Sequence, residues 1–138
     1  MSTPEGLRGP VAIVAPGGRD AAVIEGILRS GEVHGLVIAL PQLWQGIGTA
    51  QFAAAVIAEE ALHDVAVAAV ESAIAAQPPW SDFPVIVLTR RGRANPASAA
   101  LHALRNVTEV ERPVHPFTLL GTVTSALRAR ALLISTES

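Results

Sequence analysis

The chain of 138 residues contains no cysteine and no lysine. Without cysteine it can form neither a disulfide framework nor a thiol nucleophile. All ten of its basic residues are arginines, which excludes a catalytic or conformational lysine anywhere in the chain. Stability must therefore come from a packed core, and a chain of this length is sufficient to bury one as a single domain.

Charged residues are also scarce. They make up 16% of the chain, compared with about 25% in an average soluble domain, while half of the residues are apolar. This balance predicts that a partner covers some apolar surface. A net charge of −2 argues against a nucleic-acid-binding face. No apolar run reaches the roughly 18 residues of a membrane span, and the polar start at residues 1–9 lacks a signal-peptide core, so we expect a cytoplasmic protein with no membrane contact.

Metal and cofactor chemistry has little support in the sequence. The four histidines lie far apart, without the spacing of metal ligands: His34, His63, His102 and His115. No combination of residues resembles a nucleophile with its base and orienting group. We therefore expect a domain without a cofactor and without enzyme activity of its own.

Apolar segments of strand length alternate with helical segments along the whole chain. This alternation predicts an α/β domain whose parallel sheet is covered on both faces. The expected strands are residues 11–15, 33–40, 52–58, 85–89 and 107–110, and the expected helices are 20–29, 41–46, 59–76, 96–104 and 116–133. We expect a tail at residues 1–10, one domain at 11–133, and a second tail or the start of a linker at 134–138.

Two strand ends carry groups that suit an anion. Thr89 closes the fourth strand, and Arg112 and Pro113 follow the fifth strand, just before the last helix. Ligands of open α/β sheets bind at the carboxyl ends of the strands. A hydroxyl and a guanidinium are therefore expected at the ligand-binding edge.

This arrangement resembles the second half of response-regulator receiver domains, in which the matching segments end in Ser or Thr and in Lys-Pro. The resemblance implies a flavodoxin-like sheet of strand order 2-1-3-4-5. Receivers hold Mg²⁺ with an acidic pair after the first strand, where this chain has Ala15 and Pro16. Their phosphoacceptor aspartate corresponds to Glu59, or to Glu60 if the register shifts by one.

The resemblance therefore implies a degenerate phosphorylation site made of Glu59, Glu60, Thr89, Arg112 and Pro113. One interpretation is a fixed imitation of the phosphorylated state, because arginine suits a paired carboxylate better than lysine does. Glu59 could equally be an ordinary first-turn acid that stabilises its helix.

Two further alternatives remain. The chain could be a true phosphoacceptor that uses Glu60 or Asp64, or a sensor that binds an anionic metabolite with Thr89, Arg112 and the arginine-rich loop at 90–93.

The segments at 78–84, 106–108 and 111–114 resemble receiver-type domains at the N-terminus of some bacterial sensor histidine kinases. The resemblance implies a domain that regulates or dimerises a kinase module, in cis or in trans. In the last helix, residues Leu120, Val123, Leu127 and Ala131 are expected to face the sheet. A second apolar stripe predicts a homodimer interface formed by Leu119, Ala126, Ala129 and Leu133.

Overall fold

The structure is a computed structural model. It describes residues 9–16, 18–48, 51–62, 68, 72, 83–89, 107–112 and 114–137, with no side-chain description beyond residue 130. The expected helix at 96–104, the loop at 90–93, most of the expected helix at 59–76, Asp64, Pro113 and the side chain of Leu133 lie outside the described residues.

Five parallel strands form one sheet in the order β2-β1-β3-β4-β5, which confirms the predicted fold class and strand order. In the strand register, Val14 of the first strand lies opposite Ile57 of the third, and Thr89 of the fourth lies opposite Glu111 of the fifth. The strands are β1 Val11–Val14, β2 Gly35–Val37, β3 Ala54–Ala58, β4 Val85–Thr89 and β5 Val107–Glu111.

The helices of the described residues are α1 Gly18–Ser30, α2 Leu40–Gly48, a 3₁₀ helix Glu59–Leu62 and α3 Pro116–Glu137. Strand β2 is shorter than the predicted segment of residues 33–40. It lies at the edge of the sheet, where Leu36 and Val37 keep more than two fifths of their surface exposed. Only its residues 35–37 pair with β1, so the paired strand is shorter than the apolar run.

The core has two layers because side chains alternate between the faces of each strand. In β1, Ala12 and Val14 join the cluster beneath α2, while Val11 and Ile13 join the cluster beneath α1 and α3. The central strands β1 and β3 are buried at every position, as expected for strands covered on both faces.

Helix α1 ends against α3. Glu32 follows the helix with φ of 62°, a left-handed conformation that few residues other than glycine adopt. The preceding Gly31 lies so close to Leu120 that an added Cβ would come within 2.6 Å of its methyl groups. The two helices therefore share one face of the sheet, with little space between them at this end.

The prediction that Leu119 lies on an outward stripe of the last helix is wrong. Leu119 and Val123 are fully buried, and Ala126 is partly buried against the same cluster. Ala129 is exposed, as expected for an outward position. The predicted sheet-facing residues Leu120, Val123 and Leu127 do pack against this cluster. The buried side of the helix is wider than predicted, because it also includes Leu119 and the charged residue Arg130.

Arg130 is a buried cation, with 4% of its surface exposed. Its Nη1 donates hydrogen bonds to the backbone oxygens of Ala53 at 2.7 Å and Phe52 at 3.3 Å, and its guanidinium lies 5.1 Å from the ring centre of Phe83. Burial lowers the pKa of Arg130 below its ordinary value. These contacts attach α3 to the segments that precede β3 and β4. None of the helices in the described segments combines the length and the apolar character needed to cross a bilayer.

Candidate functional site at the carboxyl ends of the strands

The strand register brings three predicted site residues to one edge of the sheet. Ala58 pairs with Leu88, so the next residues along the two chains, Glu59 and Thr89, lie side by side at the ends of β3 and β4. The backbone N–H of Arg112 donates to the carbonyl of Thr89 at 3.0 Å, which fixes the point where the chain leaves β5. Thr89 is partly exposed at this edge.

Arg112 and Glu60 form a forked ion pair. Nη1 of Arg112 donates to Oε2 of Glu60 at 2.8 Å, and Nη2 donates to Oε1 of the same carboxylate. The two side chains keep 21% and 29% of their surface exposed, so the pair is partly shielded from solvent. Two parallel N–H···O bonds are the geometry for which a guanidinium is better suited than an ammonium.

The 3₁₀ helix explains why Glu60 is the partner and not Glu59. Glu59, its first residue, follows a fully buried strand and is itself only 6% exposed. The turn then directs the next carboxylate, that of Glu60, outward to Arg112. The sequence alone did not decide between these two glutamates, because a register shift of one residue at the end of β3 exchanges which side chain points toward the site.

Asp20 is a site residue that the sequence analysis missed. Its Oδ2 lies 3.8 Å from Nη1 of Arg112, and it occupies the first turn of α1. The available signal was an acidic residue in the first turn of the helix that follows β1, where the helix dipole favours negative charge. Such residues are common at helix starts, so spacing alone could not assign Asp20 to the site.

The surroundings of Arg112 are strongly acidic. Hydrogen bonding to Glu60 raises the pKa of Arg112 above its ordinary value, against the opposing effect of burial. The charges of Glu60, Asp20 and Glu59 raise it further. Three carboxylates therefore surround one guanidinium, and the cluster is net negative.

The residues present do not fit the magnesium ion of receiver domains. Ala15 is packed against the core and Pro16 is exposed, and neither has a side-chain oxygen to offer at the end of β1. Within the described segments, no three His, Asp or Glu side chains come together as metal ligands would. Both oxygens of the Glu60 carboxylate already accept hydrogen bonds from Arg112, so this carboxylate is not available as a ligand for a divalent cation.

Solved structures that superpose on this chain include receiver domains of response regulators and of a sensor histidine kinase. Full-length FixJ from B. japonicum superposes with a TM-score of 0.71 at 18% identity, over 90% of this chain and 60% of FixJ. The chain has the receiver fold. The receiver domain of the sensor histidine kinase PA1611 from Pseudomonas aeruginosa, solved with a magnesium ion in its active-site cleft, has a TM-score of 0.64 at 19% identity, over 89% of this chain and 97% of that domain.

A third similar structure is a response-regulator receiver domain protein from Bacillus halodurans, with a TM-score of 0.63 at 17% identity over 86% of this chain and 96% of that protein. The chain thus spans nearly all of isolated receiver domains but less than two thirds of full-length FixJ. No protein-family profile matches the chain, and no curated protein is recognisably related to it. The likeness is one of fold, carried by structure at low identity.

Proposed function

We propose that this receiver-fold domain acts in two-component signal transduction without becoming phosphorylated, and that it regulates or dimerises a histidine kinase by direct contact. The forked ion pair between Arg112 and Glu60 carries this proposal. It occupies the strand ends where the receiver resemblance implies a phosphorylated aspartate and a lysine. In this proposal the carboxylate of Glu60 replaces the phosphoryl group and Arg112 replaces the lysine, so the site holds one state permanently.

The available carboxylates are poor phosphoryl acceptors. Both oxygens of Glu60 already accept hydrogen bonds from Arg112, and Glu59 is almost fully buried. Phosphoryl transfer depends on in-line positioning and on neutralisation of the transferred charge, commonly by Mg²⁺. The end of β1 provides no side-chain oxygen for that ion, because Ala15 and Pro16 are there. These features favour a contact-only domain over a phosphoacceptor that uses Glu60 or Asp64.

An anionic metabolite is also a poor match for this edge. The guanidinium of Arg112 already donates hydrogen bonds to Glu60, and the charges of Asp20 and Glu59 are close enough to raise its pKa. An incoming anion would have to displace a carboxylate and approach two others. The geometry thus gives less support to the anion-sensor alternative than the sequence did.

The proposed partners are a histidine kinase module and a second copy of the domain. Leu119 cannot contribute to the homodimer because it lies in the core. The outward residues of α3 that remain for such a contact include Phe117, which is 80% exposed, and Ala129. A large apolar side chain exposed to solvent, such as that of Phe117, is suitable for protein contact.

The test combines mass spectrometry with a kinase assay. The purified domain is incubated with acetyl phosphate and Mg²⁺, beside a receiver domain that retains its aspartate as a positive control. We expect no mass increase of one phosphoryl group on this domain. A labile adduct on Glu59, Glu60 or Asp64 would refute the proposal.

The kinase assay measures autophosphorylation of the histidine kinase that is fused to the domain or encoded with it. We expect the domain to change the rate, Arg112→Ala to abolish that change, and the exposed Arg29→Ala control to retain it. A rate independent of the domain, or phosphoryl transfer from the kinase to the domain, would contradict regulation by contact.

A further inference from the structure

A cavity of about 530 Å³ opens between α1 and α3 beside the acidic cluster, and Arg112 of the ion pair forms part of its lining. Its floor is formed by Ala58 and Leu88 at the ends of β3 and β4, and its sides include Ile24 and Ile27 of α1 and Val114 before α3. Pockets for small molecules commonly measure about 300 to 1,000 Å³ and are mostly apolar with a few polar groups. The size and lining of this cavity fall within that description.

The position of the cavity also suits a ligand. It lies at the carboxyl ends of neighbouring strands, the edge where open α/β sheets bind their ligands. Val23 at its mouth is 59% exposed although it is a large apolar residue. An apolar ligand would remove this side chain from water and would extend the existing core cluster of Ile24 and Leu119 outward.

The charges at the mouth determine the ligand's polar group. Among the residues that the structure describes, Asp20 and Arg112 are the charged ones that line the cavity, and Arg112 is paired with Glu60. The carboxylate of Asp20 keeps 59% of its surface exposed, so it can accept hydrogen bonds from a ligand. The described residues Glu59 and Glu60 add further negative charge nearby, and together with Asp20 they favour a cation over an anion.

We infer that the cleft between α1 and α3 is a binding site for a small amphipathic amine, whose apolar body fills the cavity and whose ammonium group pairs with Asp20. This inference does not depend on the proposed signalling role, because it rests on the cavity and its charge alone. It assigns a ligand of opposite charge to that of the anion sensor considered above.

Isothermal titration with three probes of related structure tests the inference: 4-phenylbutylamine, 4-phenylbutyrate and the shorter benzylamine. We expect 4-phenylbutylamine to bind with a dissociation constant of about 4 mM or below, given about 0.3 kcal/mol for each of its non-hydrogen atoms. Each methylene that the cavity covers is expected to improve affinity by roughly fourfold, so benzylamine should bind more weakly. Absence of binding by the longer amine, or tighter binding of the carboxylate, would overturn the inference.

Variants locate the site. Val23→Trp is expected to fill the mouth and weaken 4-phenylbutylamine at least tenfold, whereas Ala22→Trp, an exposed neighbour that does not line the cavity, should leave the affinity unchanged. Asp20→Asn should weaken the amine by roughly two- to fivefold, the range of a partly exposed ion pair.

Methyl NMR spectra of the unmodified protein provide a check that does not depend on how the variants fold. The signals of Ile24, Ile27 and Val114 should shift as the amine is added, and unshifted signals would place binding elsewhere.

Discussion

The two partners of the ion pair, Arg112 and Glu60, are expected to contribute unequally to the stability of the domain. Removing Glu60 leaves Arg112 with Asp20 and Glu59 as remaining counter-charges, whereas removing Arg112 leaves three carboxylates together without a cation. Hydrogen bonds to charged groups contribute about 1.5–3 kcal/mol when shielded, and exposed pairs about 0.2–1 kcal/mol. Since both side chains here are about three quarters shielded, the pair should fall toward the upper range.

We therefore expect Arg112→Met to lower the free energy of unfolding by about 2–3 kcal/mol and Glu60→Gln to lower it by about 1 kcal/mol. The double variant should cost less than the sum of the two, with a coupling energy of about 1–2 kcal/mol. Urea unfolding followed by circular dichroism measures all four proteins of the cycle, provided that the urea dependence of the free energy stays constant.

The pair between Glu25 and Arg29 in α1 is the matched control. It joins the same two residue types across one helical turn, but its side chains are 34% and 74% exposed. Its coupling energy should be about 0.3–0.5 kcal/mol and should fall in high salt more than that of the shielded pair. The reasoning is refuted if Glu60→Gln costs as much as Arg112→Met, or if the two cycles give equal coupling energies.

Three further predictions concern the packing of the fold. Leu119→Glu should unfold the domain or cost more than about 3 kcal/mol by burying a charge, whereas Ala129→Glu on the exposed side of α3 should cost less than about 0.5 kcal/mol; equal thermal melting of the two variants would contradict the burial of Leu119. Arg130→Met should cost about 1.5–3 kcal/mol, because the backbone oxygens before β3 lose a charged donor, and an unchanged urea midpoint would show that those bonds contribute nothing. Gly46→Ala should destabilise the domain by about 1–3 kcal/mol, because the added Cβ would overlap a phenylalanine ring. Gly26→Ala, with open space around it in α1, should stabilise the domain by about 0.5–1 kcal/mol. A change of the same sign for both variants in thermal unfolding would be inconsistent with this packing.

The sequence by itself determined the class and order of the fold. Strands such as Val85–Thr89 were visible because a strand covered on both faces is a continuous apolar run, and the structure places this one at the predicted residues. The resemblance of Thr89 and of Arg112 with Pro113 to receiver segments then indicated the strand order that the structure confirms. Strict alternation of strands and helices leaves few other ways to cover such a sheet.

The tertiary structure alone decided which side chains meet. The choice of Glu60 over Glu59 depends on the 3₁₀ turn after β3, and the approach of Asp20 depends on how α1 packs beside the strand ends. The buried side of α3 is wider than its apolar spacing predicts, because Leu119 and Arg130 are buried as well, against the usual exposure of arginine. Periodicity reports the average preference of residue types, whereas a buried cation depends on carbonyl oxygens contributed by segments nearly eighty residues away in the chain.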